Sequence, residues 1–150
     1  MNREPVSIIM VEDDDGHALL VERNLRRAGL TNAFLRLRDG QEAIDYFFPQ
    51  NSPGPTDLGN WVVLLDVNMP KVDGIEVLRR LKANPATAAV PVIMLTTTDD
   101  PREIERCYQL GCNIYVTKPV ESDAFIEAVR RLGFFLQVVK LPSSRTRSST

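Results

Sequence analysis

The chain has 150 residues, which suits one domain with a single core. With 43% hydrophobic and 25% charged residues the composition is that of a globular protein, and a formal net charge of −2 argues against a general nucleic-acid binder. No apolar run approaches the roughly 20 residues that a membrane span requires. The polar N-terminus lacks the pattern of a secretory signal or a transit peptide, so we expect a cytoplasmic protein.

Short apolar runs alternate with helical patterns along the chain. The runs that predict strands are 6–11, 33–37, 61–65, 91–95 and 114–117. Four segments that predict helices begin after Asp14 or Asp15, Asp39, Asp73 and Asp100, and end near residues 28, 47, 81 and 110. A fifth runs from Glu121 to about Val139. Strands that alternate with helices in this way predict an α/β fold with a doubly wound, five-stranded parallel sheet.

Two segments do not belong to these elements. Residues 49–59 contain three prolines and two glycines, and a loop of this length in a compact domain is often functional. Residues 141–150 are polar and are expected to form a disordered tail, so a single domain would span residues 1–140.

The cysteines and the one histidine limit the possible chemistry. Cys107 and Cys112 have no second pair of Cys or His residues to complete a zinc site, so we expect free, buried thiols. A single histidine, His17, cannot supply a histidine-based metal site.

Polar side chains follow four of the predicted strands at their carboxyl ends, where open α/β sheets bind ligands. They are Glu12 and Asp13 after the first strand, Asp66 after the third, Thr96 after the fourth and Lys118 after the fifth. Clustered carboxylates repel one another, and a hard divalent cation such as Mg²⁺ relieves that repulsion. An ammonium and a hydroxyl beside them would suit a phosphate. Together these groups fit phosphoryl transfer to a carboxylate, which forms an aspartyl phosphate.

Each of these residues alone also has an ordinary structural explanation. A carboxylate after a strand often caps the next helix, a lysine before proline is usually a loop residue, and threonine is common at strand ends. Only their joint occurrence, each at a strand's carboxyl end, predicts a site.

The sequence resembles the receiver domain of bacterial two-component response regulators. The matching segments are IIMVEDD, LLDVNMPKVDGIEVLRRLK, PVIMLTTTDD and IYVTKP, and the resemblance spans residues 6–139. It implies the (βα)5 flavodoxin-like receiver fold of the chemotaxis regulators. It also implies that the chain is a single-domain response regulator in a two-component phosphorelay.

The resemblance assigns the phosphoacceptor and the metal ligands. Asp66 would accept the phosphoryl group. Glu12, Asp13, Asp66 and the backbone carbonyl of Asn68 would bind Mg²⁺, with Asp13 the more direct ligand of the acidic pair. This chain has Glu12 where the family more often has aspartate, which lengthens the reach by one methylene group.

The resemblance also assigns the phosphate contacts and a switch. Thr96 and Lys118 would contact the phosphoryl group, and the Lys118–Pro119 peptide bond would be cis. Tyr115 matches the aromatic switch position, whose ring rotates when Thr96 moves toward the phosphate. The alternative is that Tyr115 is simply a half-buried strand aromatic.

The implied partners follow from the implied function. A sensor histidine kinase would donate the phosphoryl group, because the chain has no ATP-binding motif of its own. The chain would catalyse its own phosphorylation and slow dephosphorylation without being an enzyme for another substrate. Residues 140–150 are too few for an output domain, so the signal would pass to a downstream protein target or a phosphotransfer protein.

The end of the last predicted helix is apolar almost all round, and core packing can cover only one face of it. The residues expected at a partner surface are Phe134, Phe135, Val138 and Val139, and a homodimer is the favoured arrangement. The proline-rich loop and the FFLQVV ending resemble single-domain regulators that pair with phytochrome-type photoreceptor kinases.

Three other functions compete with this one. A phosphatase of the haloacid dehalogenase type also uses an aspartate after a strand, but the second position after Asp66 is Asn68, which cannot act as the general acid. A flavodoxin-like FMN carrier would need a phosphate-binding loop after the first strand, where this chain has EDDD. A receiver-like scaffold that signals by binding alone is the third possibility, although all the key residues are present.

Overall fold

The structure is a computed structural model that describes residues 7–27, 33–51, 54–55, 61–96 and 100–117. Several predicted features lie outside these residues. They are Lys118 and its bond to Pro119, the helix predicted to end near Val139, the apolar surface residues Phe134, Phe135, Val138 and Val139, the tail 141–150 and part of the loop 49–59.

Five parallel strands form one sheet in the order β2-β1-β3-β4-β5. The strands are β1 (Ser7–Val11), β2 (Phe34–Leu37), β3 (Trp61–Asp66), β4 (Val92–Thr96) and β5 (Ile114–Thr117). The predicted parallel α/β sheet is therefore confirmed. The third and fourth strands each run one residue further than predicted, because Asp66 still pairs with Leu95 and Thr96 with Thr117.

Four helices connect the strands of the described chain. They are α1 (Asp15–Arg27), α2 (Gly40–Phe47), α3 (Gly74–Ala83) and α4 (Pro101–Leu110). At all four N-termini an aspartate side chain accepts a hydrogen bond from a backbone N–H of the first turn. The four acceptors are Asp14, Asp39, Asp73 and Asp100. Each such cap stabilises its helix by about 1 kcal/mol. No helix in the described part of the chain is long and apolar enough to cross a membrane.

The three central strands, β1, β3 and β4, are buried on both faces of the sheet, which accounts for their continuous apolar sequences. On one face Ile9, Val63 and Met94 pack with residues of α2, α3 and α4. On the other face Ile8 and Leu64 pack with residues of α1. Full burial of an aliphatic side chain of this size contributes about 1.5–3 kcal/mol. The helices on both faces confirm the doubly wound arrangement.

The end of α4 places both cysteines in the core. Gly111 adopts a left-handed conformation with φ of 108° and donates to Tyr108 O at 3.0 Å, and Cys112 N donates to Cys107 O at 3.0 Å. These two bonds form a Schellman motif, in which the residues at the Cys107 and Cys112 positions usually make an apolar contact. Burial raises the pKa of Cys107 to about 11 and that of Cys112 to about 12. Both thiols are free and buried, as predicted.

Gly74, the first residue of α3, lies directly against the end of β3. A Cβ atom at this position would lie 2.0 Å from the carbonyl oxygen of Asp66, and the Gly74 N–H donates to Val67 O at 2.9 Å. Only glycine allows the helix to approach the strand this closely. The backbone that carries Asp66 is therefore held by the start of α3.

We expect Gly74→Ala to lower the free energy of unfolding by about 1–3 kcal/mol, because the added methyl group collides with rigid backbone. Urea denaturation followed by circular dichroism measures the change. Gly16→Ala is the matched control, because the nearest atom to its Cβ is the end of the Asp14 side chain at 3.2 Å. Equal stability of the two variants would contradict the close approach at Gly74.

Candidate functional site

Three carboxylates meet at the carboxyl edge of the sheet. Glu12 and Asp13 directly follow β1, and Asp66 is the last residue of the neighbouring strand β3. One carboxylate oxygen from each residue lies within 4.8 Å of those of the other two. The fold thus brings together all three acids that the sequence placed at this edge, although more than 50 residues separate Asp66 from the end of β1.

Burial raises the free-energy cost of holding these carboxylates close together. Glu12 is 1% exposed and Asp66 is 5% exposed, whereas Asp13 is open to solvent. Buried carboxylates that face one another cost free energy through lost hydration and mutual repulsion. Hard divalent cations prefer carboxylate oxygens, and Mg²⁺ usually keeps several water ligands. Three oxygen donors with one side open to water are therefore a donor set that fits a divalent cation.

Arg36 in β2 holds the loop that carries two of these acids, and the sequence reasoning missed it. Its Nη2 and Nε atoms donate to the backbone carbonyl of Glu12 at 2.6 and 3.1 Å. Its Nη1 atom donates to Asp15 Oδ1 at 2.6 Å. The Arg36 guanidinium, assisted by Arg38, holds the pKa of Asp15 below its usual value. No local sequence signal marks this role, because the contact depends on β2 lying beside β1.

Thr96 and Asn68 lie on the other side of Asp66. Thr96 is the last residue of β4, the strand that neighbours β3, and it is fully buried. The Asn68 side-chain amide donates to Thr96 Oγ1 at 3.5 Å, a long hydrogen bond. Asn68, in the loop after β3, therefore contacts Thr96, the residue predicted to contact the phosphoryl group. The roles predicted for the Thr96 hydroxyl and the Asn68 carbonyl remain predictions.

Tyr115 connects this edge of the sheet to α4. Its hydroxyl donates to Glu103 Oε2 at 3.0 Å, and its backbone N–H donates to the Tyr108 hydroxyl at 3.2 Å. Burial is the main cause that raises the pKa of the Tyr115 phenol, and the Glu103 carboxylate raises it further. A hydrogen-bond interaction with Thr96 lowers it. The phenol of Tyr115 therefore has partners both on α4 and at the site. Glu103 is a second residue that sequence reasoning missed.

Lys118 lies outside the described residues. Thr117, which precedes it, pairs with Thr96 at the carboxyl end of β5. Lys118 is the next residue in the sequence, and its predicted role remains a prediction.

The family of the chain is shown by comparison with known proteins. The model of the response regulator receiver domain matches residues 8–130. The chain belongs to the receiver domain family and is a response regulator, a signalling protein of two-component systems. Receiver domains interact with histidine kinases.

Individual relatives agree with this assignment. Response regulator Rcp1 from Synechocystis is 34% identical over 145 residues, which cover 93% of this chain and 95% of Rcp1. A crystal structure of its Mn²⁺-bound form superposes with a TM-score of 0.78, covering 92% of this chain and 99% of that one. With the three clustered carboxylates, this similarity supports a divalent metal at the site.

Two further solved structures are similar over nearly the whole chain. A response regulator receiver domain from Rhodospirillum rubrum is 45% identical, with a TM-score of 0.79 and coverage of 91% of this chain and 96% of that one. The phosphorylated cyanobacterial phytochrome response regulator RcpA is 29% identical, with a TM-score of 0.77 and coverage of 93% and 99%. The predicted flavodoxin-like receiver fold is thus confirmed.

We expect Glu103→Gln to lower the pKa of Tyr115 toward its usual value, because the carboxylate opposes ionisation of the phenol. The pKa should stay raised in part, since burial is the larger cause. Titration of tyrosinate absorbance measures the shift after subtraction of the same titration of Tyr115→Phe. Glu105→Gln, an exposed residue of the same helix, is the control. An unchanged titration in Glu103→Gln would refute the contact.

Proposed function

We propose that this chain is a phosphorylation switch in which Asp66 accepts a phosphoryl group from a sensor histidine kinase beside a bound Mg²⁺ ion. The proposal rests on one observation: the carboxylates of Asp66, Glu12 and Asp13 lie close together at the carboxyl edge of the sheet. Membership of the receiver family supports it.

Each site residue has a chemical task in this proposal. A carboxylate oxygen of Asp66 attacks the phosphorus atom of a phosphohistidine, so that a P–O bond forms as the P–N bond breaks. Glu12, Asp13, Asp66 and the backbone carbonyl of Asn68 would hold Mg²⁺. The ion, when bound, offsets negative charge on the phosphoryl oxygens. The chain thereby catalyses its own phosphorylation, and water later attacks the acyl phosphate and resets the switch.

The phosphorylated state is read through Thr96 and Tyr115. The Thr96 hydroxyl and the Lys118 ammonium contact the phosphoryl oxygens. A Thr96 hydroxyl drawn to the phosphate changes the surroundings of the Tyr115 phenol, which also bonds Glu103 on α4. Phosphorylation therefore favours one of two conformations of the face formed by α4 and β5.

Intact mass spectrometry tests the phosphoacceptor. With acetyl phosphate and Mg²⁺ the wild type should gain one phosphoryl group of about 80 Da, the mass of HPO₃, and Asp66→Asn should gain none. The gain should disappear when EDTA removes the metal. Asp45→Asn, an exposed aspartate of α2, is the control and should behave as wild type.

Two results would count against the assignment. No gain in the wild type would favour a scaffold that signals by binding alone. A gain that persists in Asp66→Asn would mean that another residue is the nucleophile.

The proposed phosphoryl donor is a bacteriophytochrome-type histidine kinase. Similarity to the phytochrome response regulator RcpA supports this partner. The proposed compartment is the cytoplasm, where ATP supplies the kinase. Transfer of label from a phosphorylated phytochrome kinase should be faster than transfer from an unrelated kinase, and equal rates would remove the support for this donor. The signal would leave through a downstream protein target or a phosphotransfer protein.

The proposed domain spans residues 1–140, followed by a polar tail over 141–150. We propose that the apolar end of its last helix forms a homodimer. The surface residues are Phe134, Phe135, Val138 and Val139.

Sedimentation equilibrium should give twice the mass of one chain for the wild type. Val139→Glu should shift the equilibrium toward the monomer, because a charge in an apolar interface is costly to bury. Arg147→Glu, in the polar tail, is the control. A monomeric wild type would rule out the dimer.

A further inference from the structure

Both backbone groups of Glu12 are held by strand β2. The Glu12 N–H donates to Leu37 O at 3.1 Å, which continues the pairing of β1 with β2 by one residue. The Glu12 carbonyl accepts two hydrogen bonds from the Arg36 guanidinium, at 2.6 and 3.1 Å. The position of the first residue beyond β1 therefore depends on the edge strand of the sheet.

The same guanidinium also reaches the start of α1. Its third hydrogen bond, at 2.6 Å, goes to Asp15 Oδ1, and the Arg36 side chain is only 20% exposed. Hydrogen bonds from a guanidinium are charge-assisted, and its planar fork fixes the direction of the groups it binds. Arg36 thus holds the loop at Glu12 and again at Asp15, and Asp13 lies between these two points.

The loop between those points presents two of the three clustered carboxylates. The Asp14 N–H donates to Glu12 Oε2 at 3.2 Å, so the loop also helps to orient the Glu12 side chain. Asp66 is held separately, by β3 and the start of α3. If the loop moved, Glu12 and Asp13 would lose their alignment with Asp66. Fewer carboxylate oxygens would then be positioned to bind a cation.

We propose that Arg36 is a positioning residue for the divalent-cation site: it acts on the metal through the Glu12 carbonyl and Asp15, without being a ligand. This inference rests on the proposed function of the acidic cluster. It runs against the simplest electrostatic expectation, because a positive charge near a cation site should weaken binding. Removal of Arg36 therefore has opposite consequences for a positioning role and for a purely electrostatic one.

Arg36→Gln tests the proposal by Mn²⁺ affinity, measured by electron paramagnetic resonance without any phosphoryl donor. We expect the dissociation constant for Mn²⁺ to rise roughly tenfold, as for other residues that orient metal ligands. Arg36→Lys keeps the charge but loses the fork, and it should weaken binding in the same direction by less. At saturating metal the phosphorylation rate with acetyl phosphate should return close to the wild-type rate.

Arg38→Gln is the matched control, because Arg38 lies in the same part of the chain and binds Asp15 at 3.0 Å without a described contact to Glu12. It removes one positive charge, as Arg36→Gln does, and should leave Mn²⁺ affinity within twofold of wild type or slightly tighter. Amide hydrogen exchange of the metal-free proteins supplies a second measurement. The Asp13 and Asp14 amides should exchange faster in both Arg36 variants and at the wild-type rate in Arg38→Gln.

The outcomes separate this inference from the proposed function. Unchanged or tighter Mn²⁺ binding in Arg36→Gln would overturn the positioning role, and so would equal weakening by Arg38→Gln. If Arg36→Gln fails to fold, the same comparison is made with Arg36→Lys, for which wild-type affinity and exchange would overturn the proposal. A wild type that binds no Mn²⁺ would instead refute the metal site itself.

Discussion

Mutual repulsion among Glu12, Asp13 and Asp66 is the constraint on which the rest of the structure depends. Their oxygens lie within 4.8 Å of one another, and two of the three residues are almost completely buried. An isolated chain would separate these charges, because water solvates them better than the protein does. The parallel sheet therefore holds the three carboxylates together. The free energy gained by burying its apolar strands on both faces offsets the cost of their repulsion and lost hydration.

The loop that carries Glu12 and Asp13 and the strand end that carries Asp66 are held by different parts of the structure. Pairing with β2 and the Arg36 fork hold the loop after β1, while the glycine at the start of α3 allows close support of the backbone at Asp66. Rigid placement of charged groups suits a site that must receive a cation and a phosphoryl group with little rearrangement. The same placement leaves Asp13 facing solvent, which gives such ligands a way in.

A short chain of side-chain contacts links the site to α4. Asn68 meets Thr96, Thr96 interacts with Tyr115, and Tyr115 bonds Glu103 on α4. These contacts join the loop after β3, the strands β4 and β5, and the helix α4. Cys107 is the single buried residue of α4. A helix with so little buried surface is easier to shift than α3, which buries Val77, Leu78 and Leu81. The core therefore holds α4 through fewer buried side chains than α3.

The sequence by itself determined the alternation of strands and helices and the polar residues at the strand ends, because apolar runs and the turns that end them are local patterns. The parallel order followed from connection rules. The starts of the four described helices were predicted to within about a residue. The choice of Asp14 rather than Asp15 as the first cap needed the hydrogen bond that the His17 N–H donates to Asp14. Only the tertiary structure decided the unequal burial of the three acids, the Arg36 fork and the Glu103 partner of Tyr115. Arg36 and Glu12 are 24 residues apart, and nothing local in either segment specifies the other. Such contacts exist only after the sheet has brought the strands side by side.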